Sequence, residues 1–272
     1  MIQANGRKSI FITGAGSGMG RATALKFAHE GWFVGAFDIS EQGLTSLEQE
    51  IGKENGLFLT LDVTDVNAFT AAMQAFGEAT GGTLDLMFSN AGITGTKGMF
   101  DDLAWDDIMQ VVNINFIGVM ISIRAATPLL KATPGSLCLV NASSSAIWGT
   151  AGIAIYSATK HAVRGLAEAL SIELKRYGVR AADMLPGLID TPILPDHMRA
   201  LAPNEGMWRL VPPSEIADTV FRAYSSDKLH WYVPEELLDF HRQVVEEPEV
   251  VREERTLLAV QMAALAEQKQ EV

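Results

Sequence analysis

The chain has little that could cross-link it or bridge it through metal. Of its 272 residues one is a cysteine, so an internal disulfide is excluded, and the place of Cys138 in the apolar run Leu137-Cys138-Leu139-Val140 marks a buried strand residue rather than a nucleophile. A reducing compartment is expected. Positive charge is scarce as well: 21 Lys and Arg against 33 Asp and Glu leave a formal net charge of −12. Nucleic acid and anionic membranes would repel such a surface, so the expected partner is a small molecule or a protein. Long hydrophobic runs are missing. The longest, Ile114 to Ile123, is too short to span a bilayer and carries Asn115, and no charged-then-apolar leader opens the sequence, so a soluble, cytoplasmic protein is expected. His29, His161, His197, His230 and His241 show no metal-ligand spacing, and none is given a metal or a catalytic role. No Pro/Gly/Ser-rich linker, repeat or shift in composition interrupts the chain before about residue 234.

What is present is 48% apolar content, ample for a large core, arranged as apolar strands alternating with helical patterns. Lys8 to Thr13 reads as a strand, the glycine-rich 14–20 as a loop and Arg21 to Glu30 as a helix. The alternation recurs: strand Trp32 to Phe37, helix Glu41 to Glu54, strand Leu57 to Leu61, helix Val66 to Ala79 and strand Leu84 to Phe88. A long helix follows from about Trp105 to Leu130, then strand Ser136 to Asn141, a helix out to Tyr177, strand Val179 to Leu185 and a last strand Leu229 to Val233. Helices between apolar strands imply right-handed crossovers and a parallel sheet covered on both faces, so the fold expected is α/β, doubly wound, with about seven strands in a single domain over 1–233. Residues 234–272 differ, with ten acidic and four basic residues. There Leu257, Leu258, Gln261, Met262 and Leu265 fall at helical spacing, so this extension either docks on its own body or a neighbouring subunit, or stays a solvated charged tail.

Two constellations carry chemistry. In the loop Gly14-x3-Gly18-x-Gly20, between strand and helix, the glycines let the backbone turn sharply and approach a pyrophosphate at the N-terminus of the following helix, with Ser17 and Met19 beside it. Asp38 ends the next strand, where its carboxylate could accept from ribose hydroxyls; it could also cap the next helix, although Ser40 would serve for that. An acid there, with no cation among Ala15, Ser17 and Met19, favours NAD over NADP. Asp62-Val63 after the third strand could flank an adenine, and Asn90-Ala91-Gly92 after the fourth leaves room for a ribose, though each could equally be turn chemistry. The second constellation is Tyr156-Ser157-Ala158-Thr159-Lys160, which sets a phenol and an ammonium on one helical face. A cation about 5 Å away, at an effective dielectric of ~20, lowers a phenol by roughly two pKa units, toward the range of a base at neutral pH.

With these motifs in this order, the sequence resembles the short-chain dehydrogenase/reductase superfamily, through Thr13-Gly14-x3-Gly18-x-Gly20, Asp62, Asn90-Ala91-Gly92, Tyr156-x3-Lys160 and Pro186-Gly187, over about residues 7–233. The resemblance implies a Rossmann-type fold and reversible hydride transfer between a nicotinamide cofactor and a carbonyl or secondary alcohol. It implies Tyr156 as acid/base, and Lys160 as the group that lowers its pKa and binds the nicotinamide ribose. A serine would hold the substrate oxygen, Ser143 or alternatively Ser144. An asparagine would hold a proton-relaying water, Asn115 or alternatively Asn113. Pro186, Gly187, the backbone of Ile189 and Thr191 would lie along the nicotinamide. Residues of about 192–210, with Met198, Leu201, Met207 and Trp208, would cover an apolar alcohol or ketone. Relatives pair their long helices as homodimers or homotetramers. Carbonyl reduction or isomerisation on the same fold, and a non-catalytic NAD-sensing or scaffold role, stand as alternatives.

Overall fold

The computed structural model describes residues 3–268. In chain order its elements are β1 Ser9–Thr13, α1 Gly18–His29, β2 Phe33–Asp38, α2 Glu41–Ile51, β3 Gly56–Thr60, α3 Val66–Thr80, β4 Leu86–Ser89, α4 Trp105–Val112, α5 Gly118–Lys131, β5 Leu137–Asn141, α6 Ala154–Glu173, β6 Arg180–Pro186, β7 Leu188–Ile189, α7 Asp196–Leu201, β8 Leu210–Val211, α8 Pro213–Tyr224, β9 His230–Val233, α9 Leu237–Glu246 and α10 Pro248–Gln268. A seven-stranded sheet runs β3-β2-β1-β4-β5-β6-β9, with every pairing parallel. β7 and β8 form a separate two-stranded ribbon. The doubly wound, Rossmann-type architecture expected from the alternating pattern is the one found.

Both faces of the sheet are dry, which is why its strands read as continuous apolar runs rather than alternating ones. Successive side chains of β1 go to opposite cores: Ile10 and Ile12 join Ala24, Phe27 and Leu47 on one face, while Phe11 joins Phe37, Phe69 and Phe76 on the other. Phe11 stacks on Phe37 with ring centroids 3.9 Å apart and meets Phe76 edge-on at 5.3 Å. Strand order reverses between β1 and β4, so a crevice opens at their carboxyl ends.

Two stretches depart from the sequence pattern. The helix expected from Trp105 to Leu130 is two helices joined by a π-helical turn, Asn113–Ile117. The turn sits where a buried polar side chain, Asn115, must find partners, and the wider backbone carries it inward. Within Trp105–Lys131 a stretch of 18 residues has a mean hydropathy of 1.5, so by length and composition the segment could cross a membrane. Here Ile108, Val111, Val119, Ile123, Ala126 and Leu130 are buried within the protein.

The chain beyond Val233 begins as part of the body. Leu237, Phe240 and Val251 are buried and belong to the same core cluster as β1 and α6 residues. Trp208 lies edge-on to Phe240 at 5.2 Å, and the Arg255 guanidinium covers both rings at 4.4 and 4.7 Å. Further along α10, Leu257 and Leu258 are 65% and 45% exposed, so this part of the expected apolar stripe does not dock on its own body. The side chains of Met262 and Leu265 lie outside the described residues. In the expected lid, Met207 and Trp208 pack on the core whereas Leu201 is exposed.

Candidate active site

A cleft of about 280 Å³ occupies the crevice, lined by Gly14, Ser17, Gly18, Met19, Asp38, Ile39, Leu61, Asp62, Val63, Asn90, Ala91, Gly92, Ile93, Ile114, Thr191, Pro192 and Ile193. Its floor depends on missing side chains. A Cβ on Gly20 would stand 2.0 Å from the Gly14 carbonyl oxygen, and Gly14 itself has φ of +70° with Ala91 Cα 2.9 Å from where its Cβ would be. Gly20 therefore acts beneath the cleft, by letting the loop close on itself, rather than by lining it. At the N-terminus of α1, Ser17 makes no side-chain cap and the first turn carries no acid, so the free N–H groups and the helix dipole remain available to an anion. At the other end Asp38 accepts from Gly16 N and Ser40 N, both at 2.8 Å. Its carboxylate thus ties the glycine loop to β2, while Ser40 is the cap of α2. No Lys or Arg is among the described residues lining the cleft. Glycine floor, open helix end and unopposed carboxylate fit a dinucleotide without a 2′-phosphate.

The strand ends are clamped by residues that turn chemistry alone would not require. Asn90 donates through Nδ2 to the carbonyls of Thr13 and Gly14 at 3.0 and 3.2 Å and accepts from Asn141 Nδ2 at 3.0 Å. Thr13 Oγ1 accepts from the backbone of Asn90 and of Ala91. One chain of amides and a hydroxyl thus fixes the ends of β1, β4 and β5. Asp62 forms a local turn, accepting from Thr64 N and Oγ1 at 2.9 and 2.7 Å, with Val63 beside it on the cleft.

Tyr156 and Lys160 lie one turn apart at the start of α6, with Lys160 Nζ 5.6 Å from the centroid of the Tyr156 ring. Lys160 is buried; its ammonium donates to the Asn141 carbonyl at 2.7 Å, and burial lowers it to about 8. Ser143, two residues beyond β5, caps a short 3₁₀ turn over Ser144–Ala146, and its hydroxyl is the neighbour that lowers the Tyr156 phenol. Ser144 begins that turn and has no such effect on the phenol. Asn115 is fully buried, exchanges two bonds with the backbone of Ile93 at 2.9 and 2.8 Å and donates to Thr159 Oγ1 at 3.3 Å. The alternative, Asn113, is exposed. Gly92 joins cleft and cluster: a Cβ there would stand 3.1 Å from Asn115 Oδ1 and 3.5 Å from Lys160 Nζ.

One expectation is corrected. The Tyr156 phenol is not held low in this state; burial raises it, against a lowering by the Ser143 bond. The reason is burial itself, which penalises the phenolate, while the Lys160 ammonium gives its hydrogen bond to the Asn141 carbonyl. Of the segment from the end of β6 onward, Thr191 lines the cleft and packs on Gly18, whereas Pro186, Gly187 and Ile189 do not line it. Gly187 N donates to Val233 O at 2.7 Å and the Ile189 side chain is in the core. Sequence reasoning missed Ile39, Leu61, Ile93 and Ile114 on the cleft wall, as well as the clamping roles of Thr13 and Asn141, while Pro192 and Ile193 fall at the start of the expected lid. Ile39 alone had a signal, an apolar residue following a strand-end acid, and it is 73% exposed. His161 is exposed and bonds back to Ser157 O, away from the site.

Residues 8–201 match the family model described as short chain dehydrogenase. Among curated proteins, the chain is 32% identical over 203 residues to a levodione reductase of Leifsonia aquatica, covering 72% of this chain and 74% of that one. It is 31% identical over 223 residues to a cyclohexanol dehydrogenase of an Acinetobacter species, covering 81% and 88%. Among solved structures, a short chain dehydrogenase/reductase from Burkholderia phymatum in complex with NAD superposes with a TM-score of 0.79 at 26% identity, covering 92% of this chain and 96% of that one.

Proposed function

From the premise that this chain belongs to the short-chain dehydrogenase/reductase superfamily, we propose that Tyr156, Ser143 and Lys160 interconvert a cyclic secondary alcohol and its ketone. The protein is an NAD-dependent oxidoreductase of the CH–OH group. The observation that carries the site assignment is convergence: the Ser143 hydroxyl acts on the Tyr156 phenol, and Lys160 stands beside the Tyr156 ring at the Gly92 end of a cleft that also holds Asp38.

Bound in the cleft, NAD supplies the hydride acceptor in oxidation, and its reduced form the donor in reduction. Gly14, Ser17, Gly18 and Met19 would hold the pyrophosphate and Asp38 the adenosine ribose, with Asp62, Val63 and Ile39 around the adenine. Asn90, Ala91, Gly92 and Thr191 would wall the nicotinamide side, and Lys160 would reach its ribose. In oxidation Tyr156 takes the hydroxyl proton of the substrate while the Ser143 hydroxyl holds the same oxygen in line. In reduction the phenol returns that proton to the ketone oxygen. Asn115 fixes Ile93 and Thr159 around Lys160 rather than touching substrate. Burial that keeps the phenol protonated at neutral pH suits it to the reductive direction, and a cationic nicotinamide would lower it for oxidation.

We place the protein in the cytoplasm as a homo-oligomer. Met99, Phe100 and Trp105 are 63%, 61% and 70% exposed at the start of the α4–α5 pair, and Ile172 on α6 is 78% exposed, an apolar surface suited to a second copy. Sedimentation as a monomer at working concentration would contradict this. The catalytic reading is tested by following nicotinamide absorbance with NAD and a panel of cyclohexanol, cyclopentanol, linear secondary alcohols and steroid alcohols. Turnover of cyclic alcohols supports it. NAD binding with turnover confined to linear alcohols would remove the cyclic assignment, and no NAD binding would remove the site.

A further inference from the structure

Arg164 lies two turns beyond Tyr156 on α6, outside the cleft. Its side chain is 16% exposed and spans three elements. Nη1 donates to the carbonyl of Ala146 at 3.1 Å, Nε to Glu168 Oε1 at 3.1 Å, and Nη2 stands 3.4 Å from His241 Nε2 on α9. Ala146 closes the single 3₁₀ turn that Ser143 caps: Ala146 N donates to Ser143 O at 2.8 Å, and Ser145 N to Ser143 Oγ at 3.1 Å. A turn of three residues has few bonds of its own to hold it. Its last carbonyl is fastened from outside by the guanidinium.

Resting on the proposed function, we infer that Arg164 is a positioning residue of this enzyme: by holding the Ala146 carbonyl it fixes the turn that points the Ser143 hydroxyl at the Tyr156 phenol. The guanidinium is suited to this because its planar fork serves Ala146 and Glu168 from one rigid group. The same group meets α9 through His241, whose Nδ1 lies 2.7 Å from the Tyr232 hydroxyl. Phe240, next to His241, packs on Trp208 of the lid. One side chain therefore ties the serine turn to the helix that supports the lid. The charged and titratable groups around it are Glu168 on α6, His241 on α9, Tyr232 and His230 on β9 and Asp183 on β6.

The chain has four tyrosines, Tyr156, Tyr177, Tyr224 and Tyr232, so their Cζ carbons can be labelled with ¹³C and titrated individually in the NAD-saturated protein, each assigned by its Phe variant. The readout needs no substrate, so failure of the proposed reaction leaves it intact, and loss of NAD-induced shifts would report failure of the cofactor assignment separately. Arg164→Gln is expected to raise the Tyr156 midpoint by roughly half a unit or more, the scale of one lost hydrogen bond to the phenolate, and Arg164→Lys, which keeps the charge and a donor but not the fork, to restore part of it. Tyr232, near the same guanidinium, shifts up in Arg164→Gln as well, which verifies that the charge was removed from a folded site. Adding Ser143→Ala decides the route: if Arg164 acts through the serine, the double variant matches Ser143→Ala alone. Superimposable Tyr156 curves for wild type and Arg164→Gln, with Tyr232 moved, would overturn the inference. So would additive shifts in the double variant.

Discussion

At the scale of single residues, the site balances burial against one hydrogen bond. Burial raises the Tyr156 phenol and the Ser143 hydroxyl lowers it, so at neutral pH the acid form dominates and the base form grows about tenfold per pH unit. The expected outcome is that kcat/KM for alcohol oxidation climbs from about pH 6 to about pH 8 while that for ketone reduction stays level over the same range. Because burial brings Lys160 to about 8, the oxidative climb should flatten above that point as the ammonium loses its proton. Oxidation independent of pH would contradict the assignment of Tyr156. A second expectation concerns Asp38, whose carboxylate would oppose a 2′-phosphate: NAD should be preferred over NADP at least roughly tenfold, about 1 to 2 kcal/mol, in kinetic efficiency. The residue types and spacing of Tyr156, Lys160 and Asp38 were legible in the sequence because they obey local rules, helical period and strand end. The direction of the Tyr156 shift was not, since it is set by how deeply the fold buries the phenol, which helical spacing does not report.

At the scale of elements, the strand-loop-helix unit from β1 to α1 was read correctly because glycines, a preceding apolar run and a following helical period all signal locally. What the sequence hid is the reason for Gly20, which is a backbone contact with Gly14 rather than a ligand contact. Gly20→Ala should therefore weaken NAD binding by at least about tenfold and lower stability together, because the loop must open to admit the methyl. Equal NAD affinity by calorimetry would show that the loop has slack. The π turn in the α4–α5 segment was invisible for the opposite reason. Asn113 to Ile117 has ordinary helical composition, and only the need of buried Asn115 for Ile93 and Thr159 marks it. Asn115→Ala, which leaves the Ile93 backbone groups without these partners, should cost roughly 1 to 3 kcal/mol of stability by denaturant unfolding.

At the scale of the whole molecule, the parallel order and both cores follow from an alternation that any reader of the sequence can count, whereas the fate of the C-terminal segment does not. Its charge and apolar spacing left docking and a solvated tail equally open; Leu237, Phe240 and Val251 are buried in the main core and Arg255 lies over Trp208 of the lid. The contacts are few and far apart in sequence, so composition could not announce them. A chain ending at Glu247 loses the burial of Val251 and the Arg255 contacts, together about 3 kcal/mol, and its Tm should fall by roughly 5 to 10 °C. The KM for alcohol should rise while NAD affinity stays; an unchanged KM would separate α10 from the lid. The most direct test of the central claim is the fate of the hydrogen at the carbinol carbon. With cyclohexanol deuterated at that carbon and NAD, NMR should find deuterium on the nicotinamide ring after turnover by the wild type and none with Tyr156→Phe, whose NAD affinity should stay nearly intact. Label absent from the nicotinamide although cyclohexanone forms, or label transferred equally by Tyr156→Phe, would contradict it.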